Sequence, residues 1–167
     1  MEVGLSLGSN LGDRLANLAA ARRRLLTLPG VRLLAASPVY ETEPVDVPPP
    51  YRSLAFLNAV LIVAGDQAPV EWQRATAQIE TELGRVRTAD RCAPRVMDID
   101  ILFIGGQCRD DGGLILPHPR WAQRRFVLQP LADVRPDLVL PGAAETVRQI
   151  LARLPTGNNV VRFCETW

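Results

Sequence analysis

The sequence predicts an α+β fold, in which helices pack on an antiparallel sheet, and two observations support this. Apolar residues occur in stretches with strand character and in stretches with helical spacing, and the two kinds alternate along the chain. From Val3 to Ile104 their order is strand, helix, strand, strand, helix, strand. This βαββαβ order is typical of the ferredoxin-like arrangement, in which two helices cover one face of the sheet.

The first three elements begin with a short apolar strand at Val3 to Leu7. The segment Gly8 to Asp13 supplies turn residues and a helix cap. Apolar residues at helical spacing then predict a helix over Leu15 to Leu28, which Pro29-Gly30 ends. We expect Val31 to Tyr40 to form the second strand.

The next elements surround two polar loops. Glu41 to Arg52 contains four prolines, so it is predicted to be an exposed loop. Leu54 to Val63 is strongly apolar and predicts a buried strand, and Pro69 to about Leu83 predicts a helix. A second polar loop, Gly84 to Arg95, leads into the strand Val96 to Ile104.

A C-terminal extension follows this core. We expect a hairpin over Gly105 to Leu116, an apolar stretch at Phe126 to Leu131, a helix from about Ala144 to Leu154 and a last strand near Val160 to Phe163. The length and the hydrophobic content of 47% are those of one domain, so residues 1–167 are predicted to form a single unit.

The bulk composition argues against several classes of function. Nineteen basic and eighteen acidic residues give a net charge of +1, so no global field attracts nucleic acid or anionic lipid. No apolar run approaches the roughly 20 residues of a bilayer span. The three cysteines match no zinc spacing, and the amino terminus lacks a secretory pattern. We expect a soluble, cytoplasmic monomer that binds neither nucleic acid nor membrane.

Two aspartates in the last core strand, Asp98 and Asp100, carry the first functional signal. Side chains two positions apart on a strand share a face, with Cα atoms about 6.6 Å apart. Their strand neighbours are apolar, so the two charges repel each other unless a cation intervenes. Oxygen ligands without nearby Cys or paired His favour Mg²⁺. From the spacing alone, a metal site is no better supported than an arrangement in which one Asp faces solvent and the other caps a turn.

The loop before this strand is cationic, because Arg85, Arg87, Arg91 and Arg95 face only one acidic residue, Asp90. Guanidinium groups suit bidentate phosphate contacts. A solvated charged loop would have the same composition, but a cationic loop beside a carboxylate pair matches what a magnesium polyphosphate requires. The sequence contains no GxxxxGK[ST] motif and no protein-kinase signature, which excludes a P-loop and a protein kinase.

Several short motifs occur in a specific order over most of the chain. They are Gly8-Ser9-Asn10-Leu11-Gly12-Asp13, Phe56-Leu57-Asn58-Ala59, Glu80 with Gly84-Arg85-Val86-Arg87, the run from Arg91 to Leu102, and Pro117-His118-Pro119-Arg120 with Arg124 to Leu128. Together they resemble the 6-hydroxymethyl-7,8-dihydropterin pyrophosphokinase family of folate biosynthesis. The resemblance implies a ferredoxin-like fold, in agreement with the pattern of strands and helices.

The resemblance also implies a reaction, the transfer of pyrophosphate from ATP to the hydroxymethyl oxygen of 6-hydroxymethyl-7,8-dihydropterin with release of AMP. Asp98 and Asp100 would then hold two Mg²⁺ ions on the ATP phosphates, and Arg85 and Arg95 would be catalytic arginines. Four further residues would contact the nucleotide: Glu80, Arg91, His118 and Arg124.

The pterin ring is expected to bind between aromatic faces, with an amide along its edge. Phe56 and Asn58 share one face of a strand, and Phe126 supplies the second ring. By resemblance, Thr42 and Val45 add hydrogen bonds from the neighbouring loop. Without the resemblance, a buried Asn bonded to the backbone and two core phenylalanines would be the simpler interpretation.

Two other functions are compatible with the same order of elements. One is another Mg²⁺-dependent nucleotidyl transferase or cyclase, because ferredoxin-like scaffolds with paired carboxylates serve there too. The other is an RNA-recognition module, which requires an aromatic K/R-G-F/Y strand and a basic face. The sequence has neither feature.

Thr88 and Cys92-Ala93 depart from the residues that the pyrophosphokinase family often has at these places.

Overall fold

The computed structural model describes residues 1–44, 47–86, 88–90, 92–110, 113–155 and 160–167. The strands and helices in these residues are β1 (Glu2–Ser9), α1 (Arg14–Leu26), β2 (Arg32–Ala36), β3 (Val39–Thr42), β4 (Phe56–Ala64), α2 (Pro69–Glu82), β5 (Asp98–Ile104), β6 (Arg109–Asp110), β7 (Ile115–Leu116), α3 (Arg125–Val134), α4 (Val147–Arg153) and β8 (Val160–Cys164). Short 3₁₀ turns occur at Pro49–Tyr51 and Trp121–Gln123.

The main sheet has the strand order β5-β1-β4-β3-β8, and β2 pairs with the far end of β4. Its described pairings are antiparallel throughout. Strands β6 and β7 form the separate small hairpin that was predicted after the core. The predicted α+β class and ferredoxin-like order are confirmed, and β1 lies between β5, the strand of the aspartates, and β4, the strand of Asn58.

The prediction of one strand over Val31 to Tyr40 was wrong, because this segment divides into β2 and β3. The break falls at Ser37-Pro38, and Pro38 has no N–H to donate. The Ser37 N–H donates to the Val60 carbonyl at 2.9 Å, and the Ser37 hydroxyl accepts from the Val60 N–H at 2.9 Å. Val60 of β4 therefore provides the hydrogen bonds of Ser37 at the point where the chain passes from β2 to β3.

Each face of the sheet carries its own layer of helices, because side chains alternate along a strand. Leu5, Leu7 and Leu61 point to one face and pack against α1 and α2, in a core that includes Trp72 and Ile79. The opposite face packs against α3 and α4 through residues that share full or nearly full burial: Val60, Ile62, Leu102, Leu128, Leu131 and Ile150. The extension thus covers the second face, which the core helices leave open.

The second layer ends before the sheet does. Past the part of this face that α3 and α4 cover, the residues that point to the same side are Ser6 and Gly8 of β1, Asn58 of β4, and Asp98 and Asp100 of β5. Polar side chains stand there where the rest of the face is apolar. Among the described residues, no helix has both the length and the apolar character needed to cross a membrane.

Candidate active site

Strand β1 pairs with β4 on one side and with β5 on the other, and this pairing aligns the polar residues in rows across the sheet. Gly8 pairs with Asn58 on one side and with Asp98 on the other, and Ser6 pairs with Asp100. Two strand spacings separate Asn58 from Asp98, which corresponds to roughly 10 Å between their backbones. An amide suited to a heterocycle and a pair of carboxylates thus lie side by side on one surface.

Gly8 leaves open the space between them. A Cβ atom at this position would lie 2.9 Å from Asn58 Oδ1 and 3.7 Å from a ring carbon of Phe56. The shorter distance is below ordinary van der Waals contact, so any side chain at residue 8 would displace the amide. The lack of a side chain at Gly8 is therefore what lets Asn58 and Phe56 face a common cavity.

Asp98 is bonded at both carboxylate oxygens by arginines of the preceding loop. Arg85 Nη1 donates to Oδ1 at 2.5 Å, and Arg95 Nη1 lies 3.3 Å from Oδ2. Arg85 Nη1 also donates to Glu80 at 2.5 Å. Although burial opposes the charge of Arg85, Asp98 and Glu80 together raise the pKa of its guanidinium above the ordinary value. This end of the site is a compact cluster of alternating charges.

Asp100 has weaker partners. Arg124 Nη1 lies 3.5 Å from its Oδ2, and His118 Nε2 lies 3.9 Å from the same oxygen. Burial, followed by the negative charge of Asp98, raises the pKa of Asp100 above its usual range. Burial lowers the pKa of His118 although Asp100 opposes this, which favours the neutral imidazole. The carboxylate pair is short of compensating positive charge at Asp100.

Two cavities meet at the aspartates. One, of about 460 Å³, is lined by Thr42, Phe56, Asn58 and Phe126 together with Asp98, Asp100, Arg95 and Arg124. The other, of about 360 Å³, is lined by Glu80, Arg85, His118 and the same two aspartates. We call them the Asn58 cavity and the Glu80 cavity. Asp98 and Asp100 form the wall that the two cavities share.

In the Asn58 cavity the polar and aromatic groups are already ordered. Asn58 is only 5% exposed, and its amide nitrogen donates to Thr42 Oγ1 at 2.7 Å. The Arg95 guanidinium carbon lies 5.8 Å from the centre of the Phe56 ring, and that of Arg124 lies 5.4 Å from the Phe126 ring. Both arginines therefore join an aspartate to an aromatic ring.

In the Glu80 cavity a buried carboxylate joins helix α2 to strand β5. Glu80 is 4% exposed, and its Oε1 accepts from the Ile99 N–H at 2.8 Å as well as from Arg85. Ile99 stands between the two aspartates, so this bond fixes the backbone of the strand where it carries them. Glu80 thereby positions the carboxylate pair in addition to lining the cavity.

The structure brings together eleven of the thirteen residues predicted for the site: Thr42, Phe56, Asn58, Glu80, Arg85, Arg95, Asp98, Asp100, His118, Arg124 and Phe126. Val45 and Arg91 lie outside the described residues. Arg124, which was expected to contact the nucleotide, lines the Asn58 cavity. The individual roles of these residues remain predictions.

Sequence reasoning missed several lining residues. In the Asn58 cavity these include Ser6, Gly8, Val47, Arg120 and Gln123, and in the Glu80 cavity Gln73, Thr76 and Ala77. A signal existed for the helix, because Gln73, Thr76 and Ala77 stand seven, four and three positions before Glu80, on its face of α2. Ser6 and Gly8 required knowledge of which strands flank β1.

The fold and the site together define an enzyme that transfers a phosphorus-containing group. Paired carboxylates and arginines meet between two cavities on an antiparallel sheet, and residues 4–136 match the sequence model of 7,8-dihydro-6-hydroxymethylpterin-pyrophosphokinase (HPPK). The chain belongs to the HPPK family and is a diphosphotransferase of folate biosynthesis.

Curated relatives cover nearly the whole chain. The 2-amino-4-hydroxy-6-hydroxymethyldihydropteridine pyrophosphokinase of Methylorubrum extorquens is 44% identical over 92% of this chain and 94% of its own length. The protein of the same name from Pseudomonas aeruginosa is 39% identical over 92% of this chain and 91% of its own length. A Plasmodium falciparum HPPK-DHPS structure with pteroate has a TM-score of 0.70 at 15% identity over 91% of this chain, which spans 42% of that longer protein. This last likeness concerns the fold.

Proposed function

We propose that the protein transfers a diphosphoryl group from ATP to the hydroxymethyl oxygen of 6-hydroxymethyl-7,8-dihydropterin. The oxygen attacks the β-phosphorus, the bond from that phosphorus to the α,β-bridging oxygen breaks, and AMP leaves with that oxygen. The hydroxyl proton is released. The observation that carries this proposal is the shared wall, because a reaction between two substrates requires both to reach one charged centre.

The Asn58 cavity is the proposed pterin site. Its volume of about 460 Å³ falls in the range of small-molecule pockets. Phe56 and Phe126 offer aromatic surface to a flat bicycle, and the Asn58 amide can both donate and accept along its edge. A ring bound there would direct its hydroxymethyl group towards Asp98 and Asp100, which line the same cavity.

The Glu80 cavity is the proposed ATP site. It opens on the other side of the aspartates and holds Arg85, Gln73 and the neutral His118. The His118 Nδ1 already accepts from the Arg120 N–H at 3.2 Å, so the neutral ring carries its proton on Nε2 and can donate it in a hydrogen bond. We therefore assign His118 to nucleotide contact and not to base chemistry. ATP would place its phosphates at the shared wall, within reach of the arginines of the loop.

The carboxylate pair fits Mg²⁺. In the described part of the chain, no group of three or more His, Cys, Asp or Glu side chains could hold a metal, so Asp98 and Asp100 stand as a pair. Mg²⁺ typically takes one or two carboxylates and completes its shell with water and phosphate oxygens. Bound at this pair, two Mg²⁺ ions would neutralise phosphate charge during the transfer.

The arginines supply the remaining positive charge. Arg85 and Arg95 bond both oxygens of Asp98, which are the atoms that a metal would take. With Mg²⁺ and ATP bound, Asp98 would serve as a metal ligand, and Arg85 and Arg95 would exchange Asp98 for phosphate oxygens as their partners. Glu80 keeps Arg85 beside the site during this exchange, because it bonds the same nitrogen.

We propose that the working unit is a cytoplasmic monomer. One chain lines both cavities, so no second subunit is needed to complete the site. Cys92, Cys108 and Cys164 carry reduced thiols, which is compatible with a reducing compartment.

Product analysis tests this function against the nucleotidyl transferase or cyclase alternative. Purified protein is incubated with Mg²⁺ and ATP, with and without 6-hydroxymethyl-7,8-dihydropterin, and the phosphorus products are identified by ³¹P NMR. We expect AMP and a pterin diphosphate in equal amounts, and neither when the pterin is omitted. AMP or a cyclic nucleotide formed without pterin would overturn the proposal.

A further inference from the structure

The turn between β1 and α1 contacts two parts of the wall of the Asn58 cavity without lining the cavity itself. It comprises residues 10–13 and leads into Arg14, the first residue of α1. Among the residues that the structure describes, Asn10 and Arg14 are absent from the lining of the Asn58 and Glu80 cavities. The proposed function gives this segment no role, although it is part of one of the most recognisable motifs in the sequence.

Asn10 holds the backbone of Arg95. Its N–H donates to the Arg95 carbonyl at 3.2 Å, and its side-chain oxygen accepts from the Arg95 N–H at 2.8 Å. Asn10 is only 6% exposed, so water competes little for these bonds. One residue thus fixes both main-chain polar groups of an arginine whose guanidinium reaches Asp98 and lies over Phe56.

Arg14 holds the other side of the pterin cavity. Its Nη2 donates to Glu41 Oε2 at 2.7 Å, and its Nη1 donates to the Ala55 carbonyl at 2.9 Å. Glu41 and Ala55 immediately precede Thr42 and Phe56, which pair across β3 and β4 and line the Asn58 cavity. The planar fork of one guanidinium therefore bridges the two strands at the end that faces the substrate.

The turn that connects the two contacts is itself fixed. Gly12 has a φ of 70°, a conformation that glycine adopts without strain. Asp13 caps α1 by accepting from the Ala16 N–H at 3.0 Å, and Asn17 donates to the Leu11 carbonyl at 2.9 Å. Asn10 and Arg14 are thus attached to one rigid unit, which keeps the Arg95 backbone and the Thr42–Phe56 pair in a constant relation.

We infer that Asn10 and Arg14 are positioning residues for diphosphoryl transfer, Asn10 acting through Arg95 and Arg14 through Thr42 and Phe56. This inference rests on the proposed function. The two residues differ in the kinetic constant that they control. Displacement of Arg95 affects the transfer step, so Asn10 controls kcat, whereas displacement of Thr42 and Phe56 affects ring binding, so Arg14 controls the KM for pterin.

The test compares Asn10→Ala with Arg14→Ala in steady-state kinetics, pterin binding by fluorescence titration and thermal unfolding. We expect Asn10→Ala to lower kcat about tenfold or more and to leave the pterin Kd within about twofold, because small misplacements of catalytic groups slow the reaction strongly. We expect Arg14→Ala to raise the pterin KM and Kd about five- to tenfold with kcat within about twofold, the signature of lost uniform binding.

Conservative variants and a control complete the design. Asn10→Asp keeps the acceptor oxygen and should recover most of kcat, whereas Arg14→Lys loses the fork and should give an intermediate KM. Both also carry the test if an alanine variant does not fold. Arg23→Ala, at an exposed position of the same helix, should match the wild type. The inference would be overturned if both alanine variants changed kcat and the pterin KM in the same way. It would also be overturned if the folded variants had wild-type kinetic constants.

Hydrogen exchange separates this inference from the proposed function, since it needs no substrate. The Arg95 amide donates to the Asn10 side chain, so it should exchange markedly faster in Asn10→Ala and be protected in Asn10→Asp. Unchanged protection would contradict the positioning role even if the enzyme is active. Faster exchange in a protein that forms no pterin diphosphate would instead contradict the proposed reaction.

Discussion

At the scale of single residues, the two aspartates differ in how far neighbouring positive charges compensate them. Arg85 and Arg95 bond Asp98, whereas Asp100 has only the more distant Arg124 and His118. The raised pKa of Asp100 records this deficit, because burial and the charge of Asp98 both favour the protonated form. A divalent cation would relieve it. The arginines therefore compensate mainly Asp98, and in the proposed complex they would pair with phosphate instead.

Arg95→Ala should slow the transfer far more than it weakens pterin binding. Loss of one charged donor at a developing anion typically lowers kcat by about 10²–10³-fold. The control is Arg74→Ala, at an exposed position of α2, which should have wild-type kinetics. Turnover with saturating substrates and a pterin titration measure the two effects. A variant with normal kcat and weakened pterin binding would remove Arg95 from catalysis.

Gly8→Ala should weaken pterin binding about tenfold or more, since the new methyl group would sit 2.9 Å from Asn58 Oδ1 and displace the amide. Binding of Mg²⁺-ATP should change little, because residue 8 does not line the Glu80 cavity as described. Gly106→Ala is the matched control, since nothing lies within 4 Å of its Cβ position. Titrations with each substrate measure the difference. Equal affinities in both variants would argue against the proposed pterin site.

At the scale of elements, helix α2 and strand β5 are joined through one buried side chain. Glu80 accepts from the Ile99 N–H and from Arg85, so the strand of the aspartates is anchored to the helix layer beneath it. The same strand is bonded along its other edge to β1, whose alternate residues fill the core. The carboxylate pair consequently stands on a rigid element, as preorganised catalytic groups require.

Glu80→Ala should destabilise the protein, because it leaves the buried Ile99 N–H without its acceptor and takes one of two carboxylate partners from the partly buried Arg85, which keeps Asp98. Removal of one partner from a buried hydrogen bond typically costs about 1–3 kcal/mol. Glu80→Gln keeps an acceptor and should lose less. Urea unfolding measures both, with Glu82→Ala on the surface of α2 expected within about 0.5 kcal/mol of the wild type. A loss for Glu80→Ala no larger than this control would show that the bond contributes little.

Elements differ in how far the sequence predicts them. The period-2 pattern placed Asp98 and Asp100 on one face of a strand, and helical spacing located α1 and α2, because these patterns are local. The division of Val31 to Tyr40 was missed, because the bonds that allow it come from Val60 in another strand. The position of Gly8 between Asn58 and Asp98 likewise depends on strand pairing, which periodicity alone does not specify.

At the scale of the whole molecule, the residues proposed to bind the substrates come from segments far apart in the chain. Phe56 and Phe126 face one cavity because the extension after β5 folds back over the second face of the sheet. Nothing in the local sequence joins these two rings, and only the resemblance to a family predicted that they serve the same ligand. The carboxylates could be predicted as a pair, whereas the cavities on either side require the complete fold.

Mg²⁺ and a non-hydrolysable ATP analogue together should raise the melting temperature of the whole domain. Ligand at a hundred times its Kd stabilises the native state by about 2.7 kcal/mol. Because the phosphates are proposed to bind through the metal, EDTA should abolish most of the shift. The same shift with the metal chelated would mean that the nucleotide binds independently of the aspartates.

The most direct measurement is turnover in Asp98→Asn and Asp100→Asn, with Asp110→Asn at an exposed position as the control. Each replacement keeps the shape of the side chain and removes the negative charge of a proposed metal ligand. At Asp100 it also removes the two causes of the raised pKa, the buried charge and its repulsion with Asp98. Asp100→Asn should therefore unfold close to the wild type, whereas Asp98→Asn takes this carboxylate from Arg85 and Arg95 and should be folded but less stable. In both variants pterin diphosphate formation should fall by about 10³-fold or more. Wild-type turnover in either folded variant would contradict the assignment of the pair as the metal and phosphate centre.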